Sequence, residues 1–427
     1  MKVVVIGSGG REHAISLRLS KDKNLSDLFC IPGNPGTENF AQNISIEPKH
    51  IKEIVNFCVD ENIDLVIIGP EQPIVDGLAD SLRQSGIKVF GPSALASRIE
   101  SSKSFAKKIM FDAGVPTANY TEFLSTEFDS AKIYLKKAFY PLVIKVDGLA
   151  AGKGVIICYN EIDALNALEE IFENKVFGES GNKIIIEDFL EGEEASVFAI
   201  TDGDKFICLP AAQDHKRIGD NDTGKNTGGM GAYAPAPVID DEIIRQIEIE
   251  IIAPTIRQLD KTGNKFIGCL YAGLMITASG PKVIEFNCRF GDPETQVVLP
   301  LLEGNFLDLL YSAANENLDT NAVKYSGGSS VCIVAASKGY PDNYEKGFEI
   351  TGLEQKADDI IVYHAGTKKV NNKVVTNGGR VLGVTSVEKS FDLLSAQKKA
   401  YQAINKIYFE GIYFRKDIAS KAFKHLK

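Results

Sequence analysis

The 427-residue chain has no C-x-x-C pair, no H-E-x-x-H and no run of about 18 or more apolar residues. Without the long apolar run, no helix is expected to cross a membrane. The seven cysteines (Cys30, Cys58, Cys158, Cys208, Cys269, Cys288 and Cys332) are too far apart for a zinc site or a disulfide framework. They read as small buried hydrophobes in a reducing cytosol. Five scattered histidines likewise point away from zinc catalysis. Basic residues are outnumbered 47 to 57, a formal net charge of -10. Sequence-independent binding of nucleic acid, which needs a basic surface to displace counterions, is therefore not expected. Small anions held by local basic groups remain open. The opening MKVVVIGSGGREHA has a short apolar run but no small-residue cleavage site, so it reads as a strand and not as a signal peptide.

What is present is ordinary globular composition, 44% hydrophobic and 24% charged. The length allows roughly two to four domains. Over residues 1–91, Val/Ile-rich runs alternate with helical patterns, the signature of parallel strands covered on both faces and hence of a doubly wound α/β domain. Its strands end in GSGGRE, PGNPG and GPE loops, and in such sheets ligands sit outside the carboxyl ends of the strands. A dinucleotide site is not favoured. Gly7, Gly9 and Gly10 begin a G-x-G-x-x-G, but Glu12 stands where the third glycine belongs, and FCIP lacks the acidic residue that would hold a ribose. Arg11 and Glu71 at strand ends leave a small-anion site and plain tight turns as the two readings.

Residues 147–157, DGLAAGKGVII, look like a phosphate loop but fail the P-loop pattern. Three residues separate Gly148 from Gly152, and Lys153 is followed by Gly154, which has no hydroxyl for a metal. Lys145 interrupts an apolar strand run, either as a snorkelling edge residue or as the partner of an anion such as phosphate. Residues 211–237 read as a long connection with little regular structure. Loops beyond about 12 to 15 residues in compact domains are mostly functional or disordered, and the charged DHKR with Met230 and Tyr233 favours function.

The sharpest local signal is KVIEFNCRFGDPETQ. Strand alternation puts Ile284, Phe286 and Cys288 on one face and Glu285, Asn287 and Arg289 on the other. A carboxylate and an amide oxygen two residues apart suit magnesium, which takes few protein oxygens, and Arg289 beside them suits a phosphoryl or carboxylate group. A solvated polar face is the plainer alternative. The continuation, with Gly291, Asp292, Pro293 and Glu294, favours the site.

In this order, VIKVDGLAAGKGV, IIIEDFLEGEEASV, QDHKRIGDNDTGKNTGGMGAY, VIEFNCRFGDPETQ and VVTNGGRVLGV resemble the glycinamide ribonucleotide synthetases (phosphoribosylamine–glycine ligases) of purine biosynthesis, members of the ATP-grasp superfamily. The likeness runs from GSGGREHA to FRKDIA, essentially the whole chain. It implies an N-terminal doubly wound parallel-sheet domain over 1–100, ATP-grasp α+β domains over 101–324 with a mobile part about 120–192, and a small C-terminal α+β domain over 325–427. It implies ligation of glycine to 5-phosphoribosylamine with ATP and magnesium or manganese, by a cytoplasmic monomer. The loop with Gly152, Lys153 and Gly154 would close over the phosphates, which Lys103 and Lys145 would contact. Glu187 and Leu190 would form the adenine hinge, Glu194 would hold the ribose, and Glu285 and Asn287 the metal. Arg289 would stabilise the transferring phosphoryl group. Asp214, Lys216, Gly228, Gly229 and Asp292 would grip glycine and the amine, and Gly9, Arg11, Asn34 and Glu71 the phosphoribosyl part. The strand CLYAGLMIT departs from the wider superfamily in carrying no carboxylate. The competing readings are another ATP-grasp ligase, such as a carboxylase acting on a purine intermediate, and a non-catalytic nucleotide-binding module. DHKR and NTGGMGAY speak against the first, and the intact trio Glu285, Asn287 and Arg289 against the second.

Overall fold

The structure, a computed structural model, describes residues 1–150, 154–354 and 357–426. Strands β1 (Lys2–Gly7), β2 (Asp27–Pro32), β3 (Gln42–Asn43), β4 (Leu65–Ile68) and β5 (Lys88–Phe90) form one parallel sheet in the order β3-β2-β1-β4-β5. The runs are apolar throughout because both faces are covered: Val4 and Ile6 enter one core cluster, Val3 and Val5 another. Strand order reverses between β1 and β4, so the loops after them border the crevice where such sheets bind ligands.

A helix at Lys103–Ala113, capped by Ser102 and stopped by left-handed Gly114, leads into a smaller antiparallel sheet. It contains β6 (Tyr120–Leu124), β7 (Leu142–Val146), β8 (Val155–Cys158) and β9 (Lys183–Asp188) in the order β6-β9-β7-β8. Helices Phe128–Leu135 and Glu161–Phe172 cover it, giving this unit a core of its own.

The chain continues through β10 (Glu193–Thr201), β11 (Phe206–Cys208), β12 (Gln213–Asp214), β13 (Arg217–Gly219), β14 (Thr223–Asn226), β15 (Gly231–Ala234), β16 (Gly268–Thr277) and β17 (Gly280–Asn287). An antiparallel sheet takes β11-β10-β16-β17. After a short pair, β18 (Leu302–Gly304) with β19 (Val323–Tyr325), come β20 (Ser329–Ser337), β21 (Ile360–His364), the hairpin β22 (Thr367–Val370) and β23 (Lys373–Thr376), β24 (Arg380–Glu388) and β25 (Ile412–Tyr413). Helix Leu393–Ile404 packs on β20 and β24.

Two local expectations are corrected. Residues 211–237 are not a bare connection: β12 and β15 extend the C-terminal sheet, in the order β12-β15-β20-β24-β21, and β13 and β14 form a hairpin. The ladder partner of β15 is β20, about a hundred residues on, so no local pattern announces these strands. Nor does alternation hold throughout β17. Gly273 opposes Glu285 while Leu274 opposes Val283, which leaves Ile284 as the extra residue of a bulge. Val283, Phe286 and Cys288 are buried, and Ile284 is only half-buried.

Candidate active site

Lys145, on β7, is only 4% exposed and does not snorkel. Its Nζ lies 2.9 Å from Glu187 Oε2 on β9 and donates to the carbonyl of the bulged Ile284 at 3.0 Å. The other Glu187 oxygen meets Lys107 Nζ at 3.3 Å, and that ammonium also donates to Thr117 Oγ1 at 2.8 Å and to the Ala118 carbonyl at 3.2 Å. Burial pulls the Lys107 amine down to about 8 against the opposing pull of Glu187. One buried carboxylate thus carries two lysines. Lys103, one helical turn before Lys107, donates to the Gly148 carbonyl at 3.0 Å; burial lowers its pKa, and neighbouring Lys145 adds to that while Glu285 opposes it. Sequence reading singled out Lys103 and Lys145 but not Lys107, although the i,i+4 spacing puts Lys107 on the same helical face. Lys107→Met is expected to raise KM for ATP about tenfold, roughly 1.4 kcal/mol, through loss of control over Glu187. Titration with ATP checks this, and unchanged affinity in a folded variant would make Lys107 a purely structural residue.

Lys216 forms the second cluster. Its Nζ lies 2.7 Å from Glu194 Oε2 on β10 and 3.2 Å from Asp214 Oδ1 on β12. Burial alone would lower the lysine, but Asp214 and Glu194 hold it well above its usual range. Lys216 lowers Glu194, while burial keeps the Asp214 carboxyl raised in spite of Lys216. Below them Glu294, 3% exposed, accepts from Tyr271 Oη at 2.9 Å and Ser196 Oγ at 3.3 Å, and is raised by burial and by Asp214. Gly228 and Gly229 follow β14. A side chain at Gly229, which has φ of 107°, would meet the Pro293 ring at 2.5 Å.

Glu285, Asn287 and Arg289 share the polar side of the strand end, as alternation predicts beyond the bulge. Neither Glu285 nor Asn287 uses its side chain in a hydrogen bond to a described residue, so a carboxylate and an amide oxygen stay free. That hard-oxygen pair fits magnesium or manganese, which complete their shell with water and phosphate. Opposite Glu285 stands Gly273, where a Cβ would lie 3.2 Å from Glu285 Cγ, so the neighbouring strand adds no carboxylate. No group of three or more His, Cys, Asp or Glu suited to a metal occurs among the described residues. Arg289 is held between Glu100 (3.0 Å) and Glu71 (3.3 Å). Against its burial, these two carboxylates keep it firmly charged, and Arg289 in turn lowers Glu71. Glu100 was not singled out from the sequence.

At the end of β1, Glu12 accepts from the Gly9 amide at 2.7 Å and from Arg11 Nε at 2.6 Å, so this carboxylate ties the glycine turn to its own helix. Arg11 also donates to the Phe290 carbonyl. Asn34 uses its whole amide group internally: it donates to the Ser8 and His364 carbonyls and accepts from the Gly36 and Thr37 amides. It shapes its loop and offers no free side-chain group. Asp292 pairs with Arg380 of β24 at 2.9 Å and accepts from Gln296 at 2.6 Å; Arg380, then Arg11, lower it against burial. Arg380 was also missed by the sequence reading. Leu190 lies half-buried between β9 and β10, and Gly154 immediately precedes β8. Gly152 and Lys153 lie outside the described residues.

Three models of one family match the chain in succession: the phosphoribosylglycinamide synthetase N domain over residues 1–100, its ATP-grasp (A) domain over 101–295 and its C domain over 330–421. The chain belongs to the phosphoribosylglycinamide synthetase family. Among relatives of this family, the phosphoribosylamine–glycine ligase of Synechocystis is 47% identical over 427 residues, covering 99% of this chain and 100% of its own. That of Caldanaerobacter subterraneus is 45% identical, covering 98% and 100%. A crystal structure of the Thermotoga maritima phosphoribosylamine–glycine ligase superposes with a TM-score of 0.85 at 33% identity, covering 98% of this chain and 100% of that one. The biotin carboxylase domain of Hydrogenobacter thermophilus 2-oxoglutarate carboxylase shares the fold, with a TM-score of 0.72 at 16% identity, covering 97% of this chain and 91% of that domain.

Proposed function

We infer that the chain joins glycine to 5-phosphoribosylamine with ATP, giving glycinamide ribonucleotide, ADP and phosphate through a glycyl phosphate. The observation that carries this reading is the polar end of β17, where Glu285 and Asn287 keep free oxygens, Arg289 is held between Glu100 and Glu71, and Lys145 of β7 reaches the Ile284 carbonyl at 3.0 Å. The sheet that carries Lys145 and the strand that carries the hard-oxygen pair therefore meet at one place. Units over 1–100, 101–324 and 325–427, with a closing part at about 120–192, would bring ATP, glycine and the amine there. The chain would work as a cytoplasmic monomer on small molecules, without nucleic acid or membrane.

Glu285 and Asn287 would hold magnesium or manganese, which when bound supplies charge neutralisation at the phosphates. Lys103 and Lys145 would steady the phosphates, with Gly152, Lys153 and Gly154 closing over them. Glu187 and Leu190 would border the adenine, and Glu194 the ribose. A glycine carboxylate oxygen attacks the γ-phosphorus as the bond to ADP breaks, and Arg289 would balance the charge on the transferring group. The amine then attacks the acyl carbon, and phosphate leaves with the oxygen that bridged to phosphorus. The amine's proton is assigned to Asp214, whose carboxyl, raised by burial, accepts a proton more readily than an ordinary aspartate. Lys216, Gly228, Gly229 and Asp292 would orient glycine and the amine. Gly9, Arg11 and Glu71 would line the phosphoribosyl side, with Asn34 shaping its loop.

Glycine labelled with heavy oxygen in both carboxylate positions tests the route. Each phosphate released is expected to carry one labelled atom, and the amide to keep the other. Unlabelled phosphate beside authentic product would remove the glycyl phosphate, and phosphate release that ignores glycine would remove the ligase reading.

A further inference from the structure

The geometry points to Arg415, in the C-terminal FRKDIA segment, as a positioning residue for ligation, fixing the backbone that presents Lys216. This rests on the proposed role of Lys216 and Asp214. The Arg415 side chain is wholly buried. Its Nε and Nη2 grip Asp417 as a fork, at 2.8 Å and 2.7 Å. Its Nη1 donates to Asp222 Oδ1 at 2.9 Å and to the Arg217 carbonyl at 3.0 Å, the residue immediately after Lys216.

The rest of the segment binds the same hairpin. The Lys416 amide donates to Asp220 at 2.8 Å, Asp417 accepts from the Asn221 amide at 2.8 Å, Tyr413 Oη donates to the Ile218 carbonyl at 2.8 Å, and Lys421 pairs with Asp222 at 2.7 Å. Asn221 and Asp222 have φ of 55° and 54°, a left-handed turn that persists where its surroundings determine it. At the hairpin base, the Thr227 amide and hydroxyl both donate to the Lys216 carbonyl, at 2.7 Å and 2.9 Å. Lys216 is thereby held on one side by Thr227 and on the other, one residue away, by Arg415. A lysine on a flexible four-carbon stem can keep its place only if its backbone is fixed, and displacements of about 1 Å at a reacting group can cost about a hundredfold in rate. A planar fork with five donors meets Asp417, Asp222 and a carbonyl at once. An ammonium cannot reproduce that geometry.

The test compares Arg415→Lys, Tyr413→Phe and Lys216→Met in the full chain, with steady-state kinetics, ATP titration and thermal melting. Arg415→Lys is expected to lower kcat about tenfold and raise KM for glycine, with ATP affinity unchanged and the fold retained. Tyr413→Phe removes one hairpin bond without leaving a buried charge, and is expected to move the same two constants by about twofold to threefold. Unchanged glycine constants in a folded Arg415→Lys, or a loss that only follows the folded fraction, overturns the inference. Should Arg415→Lys fail to fold, Tyr413→Phe decides, and no change there overturns it. If Lys216→Met is also without effect, the reading of Lys216 falls together with the inference. If Lys216→Met impairs turnover and the other two do not, only the inference falls.

Discussion

Glu285→Ala is expected to lower magnesium-dependent turnover by about a hundredfold or more, close to 2.7 kcal/mol in barrier, while the fold persists. The carboxylate lies half-exposed on the polar side of β17 and takes no hydrogen bond from a described residue, so its removal leaves no buried group without a partner. With it goes one of only two oxygen ligands that the strand provides, and the facing Gly273 supplies no replacement. Glu285→Ala also removes the carboxylate charge acting on Lys103 and Lys216. Kinetics across a magnesium series and circular dichroism check this. A native spectrum with more than about a tenth of the wild-type rate would take Glu285 out of the metal site.

Arg289→Ala is expected to lower kcat about a thousandfold, in line with arginines that stabilise phosphoryl transfer. Two consequences combine in this variant. The cation assigned to the transferring group disappears, and Glu71 and Glu100 lose their shared partner. An unpaired carboxylate pair beside a phosphoryl group would repel it. Arg289→Lys should recover only part of the rate, since an ammonium cannot bridge both carboxylates in the same plane. The phosphate that is still released should carry the same heavy-oxygen pattern from glycine, because Arg289 contributes charge and no atoms. Loss of the label in Arg289→Ala would show that the residue selects the route as well as speeding it. A loss in kcat of less than tenfold would remove Arg289 from the transfer step.

The parallel sheet was legible from residues 1–91 because its information is local: continuous apolar runs, glycine loops at strand ends and helical spacing between them. The polar trio on β17 was legible for the same reason. What escaped were partnerships between distant segments. Glu100 meets Arg289 across 189 positions, Arg380 meets Asp292 across 88, and β15 finds its ladder partner in β20. Nothing near Lys145 in sequence indicates that its partner is Glu187, with Lys107 on the other oxygen. Asn34 shows the opposite limit. A polar residue at a strand end looks available for a ligand until its amide group proves to be fully used by the backbone around it.

The bulge at Ile284 changes the numbering of the faces of this strand without changing the faces themselves. Pro281 and Val283 share odd numbering with Glu285 and Asn287, yet the first two are buried and the last two are not. Deleting Ile284 would let the pairing run on regularly, with Glu285 and Asn287 still opposite Gly273 and Tyr271 on the polar side and Phe286 and Cys288 still in the core. What the deletion would take away is the carbonyl that receives Lys145. A loss of one residue, leaving every proposed metal ligand present and outward, would thus leave the buried Lys145 ammonium one acceptor short.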